Sequence, residues 1–263
     1  MTKKRRKDRG VKRVIDDIKV GIFNMVKTSL KNDSRYPEPS IVCVGIGGGG
    51  CNIVSELNRR RREVKLFCLN TDALSNAKRG EAITMNVGTD YILENRDSGG
   101  FVEVARKAFK EDAPLIALQL LNRADLVLLV VTLGGGTGSG GVVELVKLLK
   151  KENTPFRVYV VRPFEFEDNR KEIADGTLVQ LKRETDQIEI YDNNEFDSIM
   201  EVNKRIREDI NSFIEAKVNF YENIYTKCFD QILSESVGEV LSEETLSINL
   251  EVAPLEAEVL RNP

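Results

Sequence analysis

A glycine-rich loop set between an apolar run and a helical pattern occurs twice in this chain, and that repetition restricts the fold more than any other feature. Residues 134–140 read Gly-Gly-Gly-Thr-Gly-Ser-Gly and come directly after Leu126-Val127-Leu128-Leu129-Val130-Val131. Upstream, Gly45-Ile46-Gly47-Gly48-Gly49-Gly50 follows Ser40-Ile41-Val42-Cys43-Val44. Short apolar runs bounded by glycine read as buried strands. No bulky side chain interrupts either loop, so the backbone can close around a ligand and offer it N–H groups and small hydroxyls. Between a buried strand and a helix start, such a loop is a phosphate cradle. Glycine costs about 1 kcal/mol wherever rigidity would suffice, so a pair of such loops argues against turns of no consequence.

The rest of the chain fits one core with alternating elements. At 263 residues with 41% apolar content, the chain can bury one substantial core. A strand is expected at 41–45, a helix at 50–61 and a strand at 64–69, followed by a mixed region to residue 100. Helices near 101–111 and 113–122 precede a strand at 125–132. A helix at 141–151, a strand at 156–161, a helix at 168–184 and a strand at 187–191 complete the alternation. This pattern predicts an α/β fold with a Rossmann-like parallel sheet and helices on both faces, its ligand at the carboxyl ends of the strands. A charge-rich helical pattern then runs from about Glu201 to Leu233. Three regions are expected: 1–39, a basic arm, helix and linker; 40–200, the sheet domain; and 201–263, the long helix with a terminal loop segment.

Composition removes several chemistries. The chain has no histidine, which excludes histidine general bases and histidine-ligated metals. Any catalysis must rest on carboxylates, amides and a cation carried in by the ligand. The four cysteines show no CxxC spacing. Cys43 and Cys68 fall in strand patterns, which fits reduced thiols and a cytoplasmic location. No stretch approaches the roughly 20 apolar residues of a membrane span, and no apolar segment follows the basic start as a secretory signal requires. Residues 1–13 carry +7 while the remainder stands near −10.

The first loop, with Asp72 about twenty residues on, fits a dinucleotide fingerprint and therefore an NAD-dependent oxidoreductase. That reading leaves residues 134–140 unexplained and finds no second domain for a substrate. No GxxxxGK[ST] motif occurs. Taken together, GGGGCN after the first strand, Asn70-Thr71-Asp72 after the second and GGGTGSG after a later one resemble the tubulin/FtsZ superfamily, and FtsZ more closely. Arg162-Pro163-Phe164-Glu165-Phe166-Glu167, Lys171 and Tyr191-Asp192-Asn193-Asn194 extend the resemblance.

The resemblance implies a GTP/GDP site, with Mg2+ bound through the nucleotide. Gly48, Gly49, Gly50, Cys51 and Asn52 would approach the phosphates from one side, and Gly135, Gly136, Thr137 and Gly138 from the other. Gly99 and Gly100 match the loop that senses the terminal phosphate, although Phe101-Val102 replaces the Asn-Pro usual after it. Asn70 and Asp72 lie where water or cation is positioned; an Asx-turn ending the strand is the competing reading. Glu167 matches the ribose-binding carboxylate. Lys171 stands where arginine is usual, keeping charge without the planar fork. Asn193 matches the residue that reads guanine, since an amide offers both donor and acceptor. An aromatic stacking on the base is expected from the long helix, with Phe213 the first candidate by spacing; a place in the core is the alternative.

In this superfamily a loop of one subunit completes hydrolysis on its neighbour. The matching stretch places Asn249 and Glu251 as catalytic candidates, while Pro254 stands in place of the second acid. Proline can neither accept a proton nor orient water, so hydrolysis is expected to be slow. A second domain would begin after this loop, and the sequence ends at Pro263, read as absence of that domain by truncation or reduction. The implied function is a cytoskeletal GTPase of cell division or membrane remodelling that self-assembles head to tail. A non-hydrolysing GTP-dependent scaffold or regulator of the same fold is the alternative.

Apolar positions 11, 14, 15, 18, 22, 25, 26 and 30 recur at helical spacing, making a basic amphipathic helix. Its stripe can dock on the parent domain or on another copy, or residues 1–30 can adsorb to an anionic membrane surface. At such a surface each Lys or Arg contributes on the order of 1 kcal/mol. Nucleic acid is not an expected partner, because few aromatics interleave residues 3–13 for stacking. Liposome sedimentation separates the readings. Under membrane adsorption the full chain pellets with anionic but not neutral vesicles, and a chain lacking residues 1–30 stays in solution.

Overall fold

The computed structural model describes residues 40–57, 64–76, 79–88, 97–121 and 124–241. The amphipathic segment at 1–39 and the Asn249 and Glu251 loop lie outside the described residues. The chain divides into two compact units, of which the larger, Pro39–Glu215, holds the sheet. In order, its elements are β1 (Ile41–Ile46), α1 (Gly47–Ser55), β2 (Val64–Asn70), the single turn α2 (Ala73–Asn76), β3 (Ile83–Asn86) and α3 (Val102–Glu111). Next come α4 (Ala113–Ile116), which runs on as a π-turn over Ala117–Leu121, then β4 (Leu126–Thr132), α5 (Gly136–Lys151) and β5 (Phe156–Arg162). They are followed by α6 (Asp168–Glu184), β6 (Ile188–Asp192), a 3-10 turn at Asn193–Glu195 and α7 (Ile199–Leu241), which continues into the second unit.

All six strands are parallel, in the order β3-β2-β1-β4-β5-β6. β1 and β4 are the continuous apolar runs of the sequence, and they pair in register from Ile41↔Leu126 to Ile46↔Val131. Side chains alternate between two buried faces. Val42, Val44, Leu129, Val131 and Val160 meet Phe109, Val142, Val146 and Leu181 of the helices on one side. On the other side Gly45 lets α1 in so closely that a Cβ there would lie 2.7 Å from the Cα of Cys51. The first turns of α7 lie on this second face. Val202, Ile206 and Ile210 are buried there, and Tyr191 at the end of β6 donates its hydroxyl to Asp209 at 2.9 Å.

Four elements differ from the sequence expectation. Both glycine loops wind into helix almost at once: α1 starts at Gly47 rather than near residue 50, and α5 at Gly136 rather than 141. A sixth strand, β3, lies in the region read as mixed, where its four residues bury only Met85 and show no alternation. The helix expected at 113–122 is a turn of α-helix followed by a π-turn. Helix α6 has the bounds expected of it.

Candidate functional site

The strand order reverses between β1 and β4, and a cleft of about 630 Å3 opens above their carboxyl ends. Helices α1 and α5 start there. Their flanking residues, Ile46 and Gly135, provide no side-chain cap, and neither first turn holds an acid. A helix start leaves its first N–H groups without intrahelical partners and carries partial positive charge. Both starts face the cleft, so two sets of donors await an anion. Gly47 makes the turn at φ +71°, and its Cβ position is 3.0 Å from the Gly138 nitrogen, which presses the two helix starts together.

Three loops are tied around this end. The Thr71 and Thr137 hydroxyls share a hydrogen bond of 2.6 Å, and the Ser98 N–H donates to Thr71 Oγ1 at 3.3 Å. The 97–100 loop turns at Gly99 and Gly100, both at positive φ, with the Gly99 N–H on Asp97 Oδ1 at 2.6 Å. Asp72 Oδ1 accepts the N–H of Ser75, three residues on, at 3.0 Å, the geometry of an N-cap on α2 rather than of the Asx-turn weighed as the competing reading, and Asp72 lines the cleft. Asn70 donates to Ser75 Oγ at 2.9 Å.

The other end is built by the turns after β5 and β6. Glu167 Oε2 accepts the Phe164 N–H at 3.2 Å and its Oε1 holds Arg170 at 2.8 Å. The rings of Phe164 and Phe166 stack at 5.1 Å. Asn193 is buried, and its Oδ1 has no hydrogen-bond partner. A buried acceptor left unmade costs about 1–3 kcal/mol, so this oxygen marks where a ligand donor is wanted. Arg162 is committed to Asp175 at 2.8 Å and Asp192 at 3.1 Å. With Asp72, Asp97 and Glu167 lining the cleft against Arg162 and Arg170, side-chain charge alone does not attract an anion, and the helix starts must carry that role.

The cleft gathers Gly48, Gly49, Asn52, Asn70, Asp72, Gly100, Gly135, Gly136, Thr137, Gly138, Glu167 and Asn193 of the sequence candidates. Five others do not line it. Gly50 packs under the loop, where a Cβ would strike the Val130 carbonyl. Cys51 points into the core and bonds the Gly45 carbonyl at 3.4 Å; its hydrogen bond with Cys68 and its burial hold the thiol well above the ordinary range. Gly99 turns the chain beside the cleft without lining it. Lys171 reaches Glu165 at 4.0 Å on the outside, and its neighbour Arg170 joins Arg162 in lining the cleft. Phe213 lies about 21 Å along the helix from Ile199 at the helical rise, and its ring carries the Arg157 guanidinium at 5.1 Å. Ile199 and Asn203 line the cleft from that helix instead, with Thr132, Ser98 and Phe166 from other elements. The sequence signal for Asn203 is the Ser-x-x-Glu cap at Ser198–Glu201, which sets the helix start and places residue 203 one turn in. Among the described residues no three metal-binding side chains cluster, and no helix is long and apolar enough to cross a membrane.

Residues 40–201 match the profile of the Tubulin/FtsZ family, GTPase domain. The cell division protein FtsZ of Neisseria gonorrhoeae is 29% identical over 177 residues, covering 67% of this chain and 45% of that protein. The FtsZ of Helicobacter pylori (strain ATCC 700392 / 26695) is 28% identical over 219 residues, 78% of this chain and 55% of the relative. The chain thus spans about half the length of these curated relatives. Among solved structures, the empty FtsZ dimer of M. jannaschii superposes with a TM-score of 0.62 at 24% identity, over 74% of this chain and 57% of that one. CetZ2 from Haloferax volcanii, solved as a GTPγS-bound protofilament, gives 0.58 at 25% identity, over 68% and 58%.

The loop geometry separates two glycines by what their side chains would meet. A Cβ at Gly135 has nothing within 4 Å, whereas one at Gly136 lies 2.6 Å from the Gly100 backbone. Gly135→Val should keep the wild-type melting temperature and lose affinity for a phosphate-bearing ligand, because its methyls occupy the cleft. Gly136→Val should lose both. Calorimetry and a binding titration on the two variants check this, and undiminished affinity in Gly135→Val would remove the cradle reading.

Proposed function

The chain belongs to the tubulin/FtsZ family, and from that membership we propose that it binds GTP and GDP in this cleft and assembles head to tail with copies of itself. The observation that carries the reading is the buried, unpartnered Oδ1 of Asn193 at one end of a cleft whose other end is two uncapped helix starts. A guanine nucleotide supplies the complement of both: ring N–H donors for the oxygen and phosphates for the amides. Glu167, held by the Phe164 N–H and Arg170, is placed to accept from sugar hydroxyls. Mg2+ enters with the phosphates and neutralises part of their charge. Its relatives, a cell division protein and a protein solved as a nucleotide-bound protofilament, support assembly as the role.

GTP should raise the melting temperature more than ATP at equal concentration, because a site built to pair with one base leaves polar groups unpaired with the other. Asn193→Ala should weaken GTP binding about tenfold, the worth of one hydrogen bond to a buried group. Equal protection by ATP, or unchanged binding in Asn193→Ala, would withdraw the guanine assignment.

Hydrolysis in this reading is slow and needs a neighbour, since Pro254 stands where the second acid of the trans-acting loop is expected beside Asn249 and Glu251. Phosphate release per subunit should be feeble and should rise with protein concentration. Pro254→Asp should increase it only at concentrations where subunits stack. Brisk turnover independent of concentration excludes the trans arrangement, while complete absence of turnover with GTP-dependent assembly favours the scaffold reading.

A further inference from the structure

Two cysteines lie in contact directly beneath the first glycine loop. Gly45 has no side chain, so α1 settles onto β1 until a Cβ at Gly45 would lie 2.7 Å from the Cα of Cys51. Cys68 is the register partner of Gly45 on β2, about 4.8 Å away across the parallel pair. Cys51 Sγ lies over both strands, 3.4 Å from the Gly45 carbonyl and 3.6 Å from the Leu69 carbonyl. Cys68 Sγ turns back to the Cys51 carbonyl at 3.7 Å, and the two thiols hydrogen-bond to each other. Both are fully buried. Cys43 stands about 6.6 Å back along β1 on the same face, opposite Leu66, and burial pushes its thiol up to about 12. Cys68 differs, because the Cys51 S–H and the Arg79 guanidinium hold its thiol below the ordinary range. Arg79 has its ends on Asn52 and Ser75, and its Nε is buried without a partner. A cation beside a thiol is the surrounding in which cysteine is reactive.

Position makes the pair consequential. α1 begins at Gly47, so Cys51 stands one turn behind the first amides of the phosphate cradle, and β2 runs on from Cys68 to Asn70 at the cleft. β2 flanks β1 on the side away from β4. A bond between Cys51 and Cys68 brings the sulfurs to about 2.05 Å. It thereby pulls the start of α1 toward β2, away from β4 and from Gly138 of α5, against which Gly47 is packed. We propose that Cys51 and Cys68 form a redox modification site, a dithiol that peroxide converts to a disulfide, and that this bond slackens the cradle and weakens its hold on phosphate. The Cys68 thiolate sulfur attacks the peroxide and the O–O bond breaks. The departing hydroxide takes up the proton that Cys68 gave off, leaving one water and a sulfenic acid. Cys51 then attacks the Cys68 sulfur; the S–S bond forms, the S–O bond breaks, and the Cys51 proton leaves with the hydroxyl as a second water. Two electrons pass from the thiols to one peroxide. The effect on phosphate rests on the cradle reading of the cleft, whereas formation of the bond does not.

Treatment of the full chain with hydrogen peroxide, iodoacetamide trapping and peptide mass spectrometry test it, together with calorimetric titration by inorganic tripolyphosphate. The expected product is a Cys51–Cys68 disulfide that dithiothreitol reverses. The oxidised protein should bind tripolyphosphate about tenfold more weakly than the reduced protein, as a cradle drawn apart at one helix start requires. Cys68→Ala should bind as the reduced wild type does and keep that affinity in peroxide. A different cysteine pairing, oxidation of a single thiol to a sulfonic acid, or unchanged affinity in the disulfide form overturns the proposal. So does a peroxide-dependent loss of affinity that persists in Cys68→Ala. If that variant does not fold, bond mapping and dithiothreitol reversal in the wild type decide alone. Failure of the reduced wild type to bind either tripolyphosphate or GTP would instead remove the cradle reading, an outcome visible before any oxidant is added, with bond mapping still deciding the dithiol.

Discussion

The pairing of β1 with β4 is the constraint on which the site depends. These two apolar strands lie side by side and in register, although much of the chain separates them. Each is followed almost immediately by a helix, so the pairing brings two helix starts to one place. Neither start has a cap of its own. Amides that a side chain would ordinarily satisfy are thereby left toward the cleft, and their unmet hydrogen bonds become the affinity for an anion. The cost falls on local stability, and the buried sheet carries it. β1 is buried along its whole length, and so are the five central residues of β4.

Close backbone approach then fixes the loops. A side chain at Gly49 would run into Thr132, one at Gly138 would lie 2.6 Å from the Thr132 carbonyl, and one at Gly136 would meet Gly100. These glycines are required by their neighbours rather than by the ligand. Only Gly48, Gly100 and Gly135 among those lining the cleft leave open space at the Cβ position. The 97–100 loop gains its place the same way: it leans on Gly136, and its Ser98 amide bonds Thr71, which in turn bonds Thr137. A change in the position of Thr137 would therefore be felt at Ser98 through two hydrogen bonds.

The sheet's central strands, helix α6 and the site's two glycine loops were legible in the sequence because each follows from a period or from the absence of side chains. What escaped has physical reasons. β3 is four residues long and exposed on most of them, so it shows neither alternation nor an apolar run. The helix starts inside the glycine loops were hidden because glycine is a poor helix former, and tertiary packing overrides that preference here. Lys171 follows from position in a motif, yet the turn of α6 aims its neighbour Arg170 at Glu167 and Lys171 outward. Phe213 fitted a helical spacing but sits too far along the helix; the cap at Ser198 was the better guide, since it fixes which residue stands one turn in.

The two ends of the cleft are consequently held by different means. Where the glycine loops meet, the contacts are backbone against backbone, and a Cβ at Gly49, Gly136 or Gly138 collides. At the other end they are side chains: Asn193 on a 3-10 turn, Ile199 and Asn203 on a capped helix, Phe164 and Phe166 on the turn after β5. Side chains can be exchanged without moving the strands, whereas Gly49, Gly136 and Gly138 cannot. The loop end is thus the part of the site that a sequence motif records. The other end depends on where α7 begins, and that is set by one serine and one glutamate whose hydrogen bonds cross a single turn. A substitution at Asn203 therefore alters one end of the cleft while leaving the loop contacts at the other end as they stand.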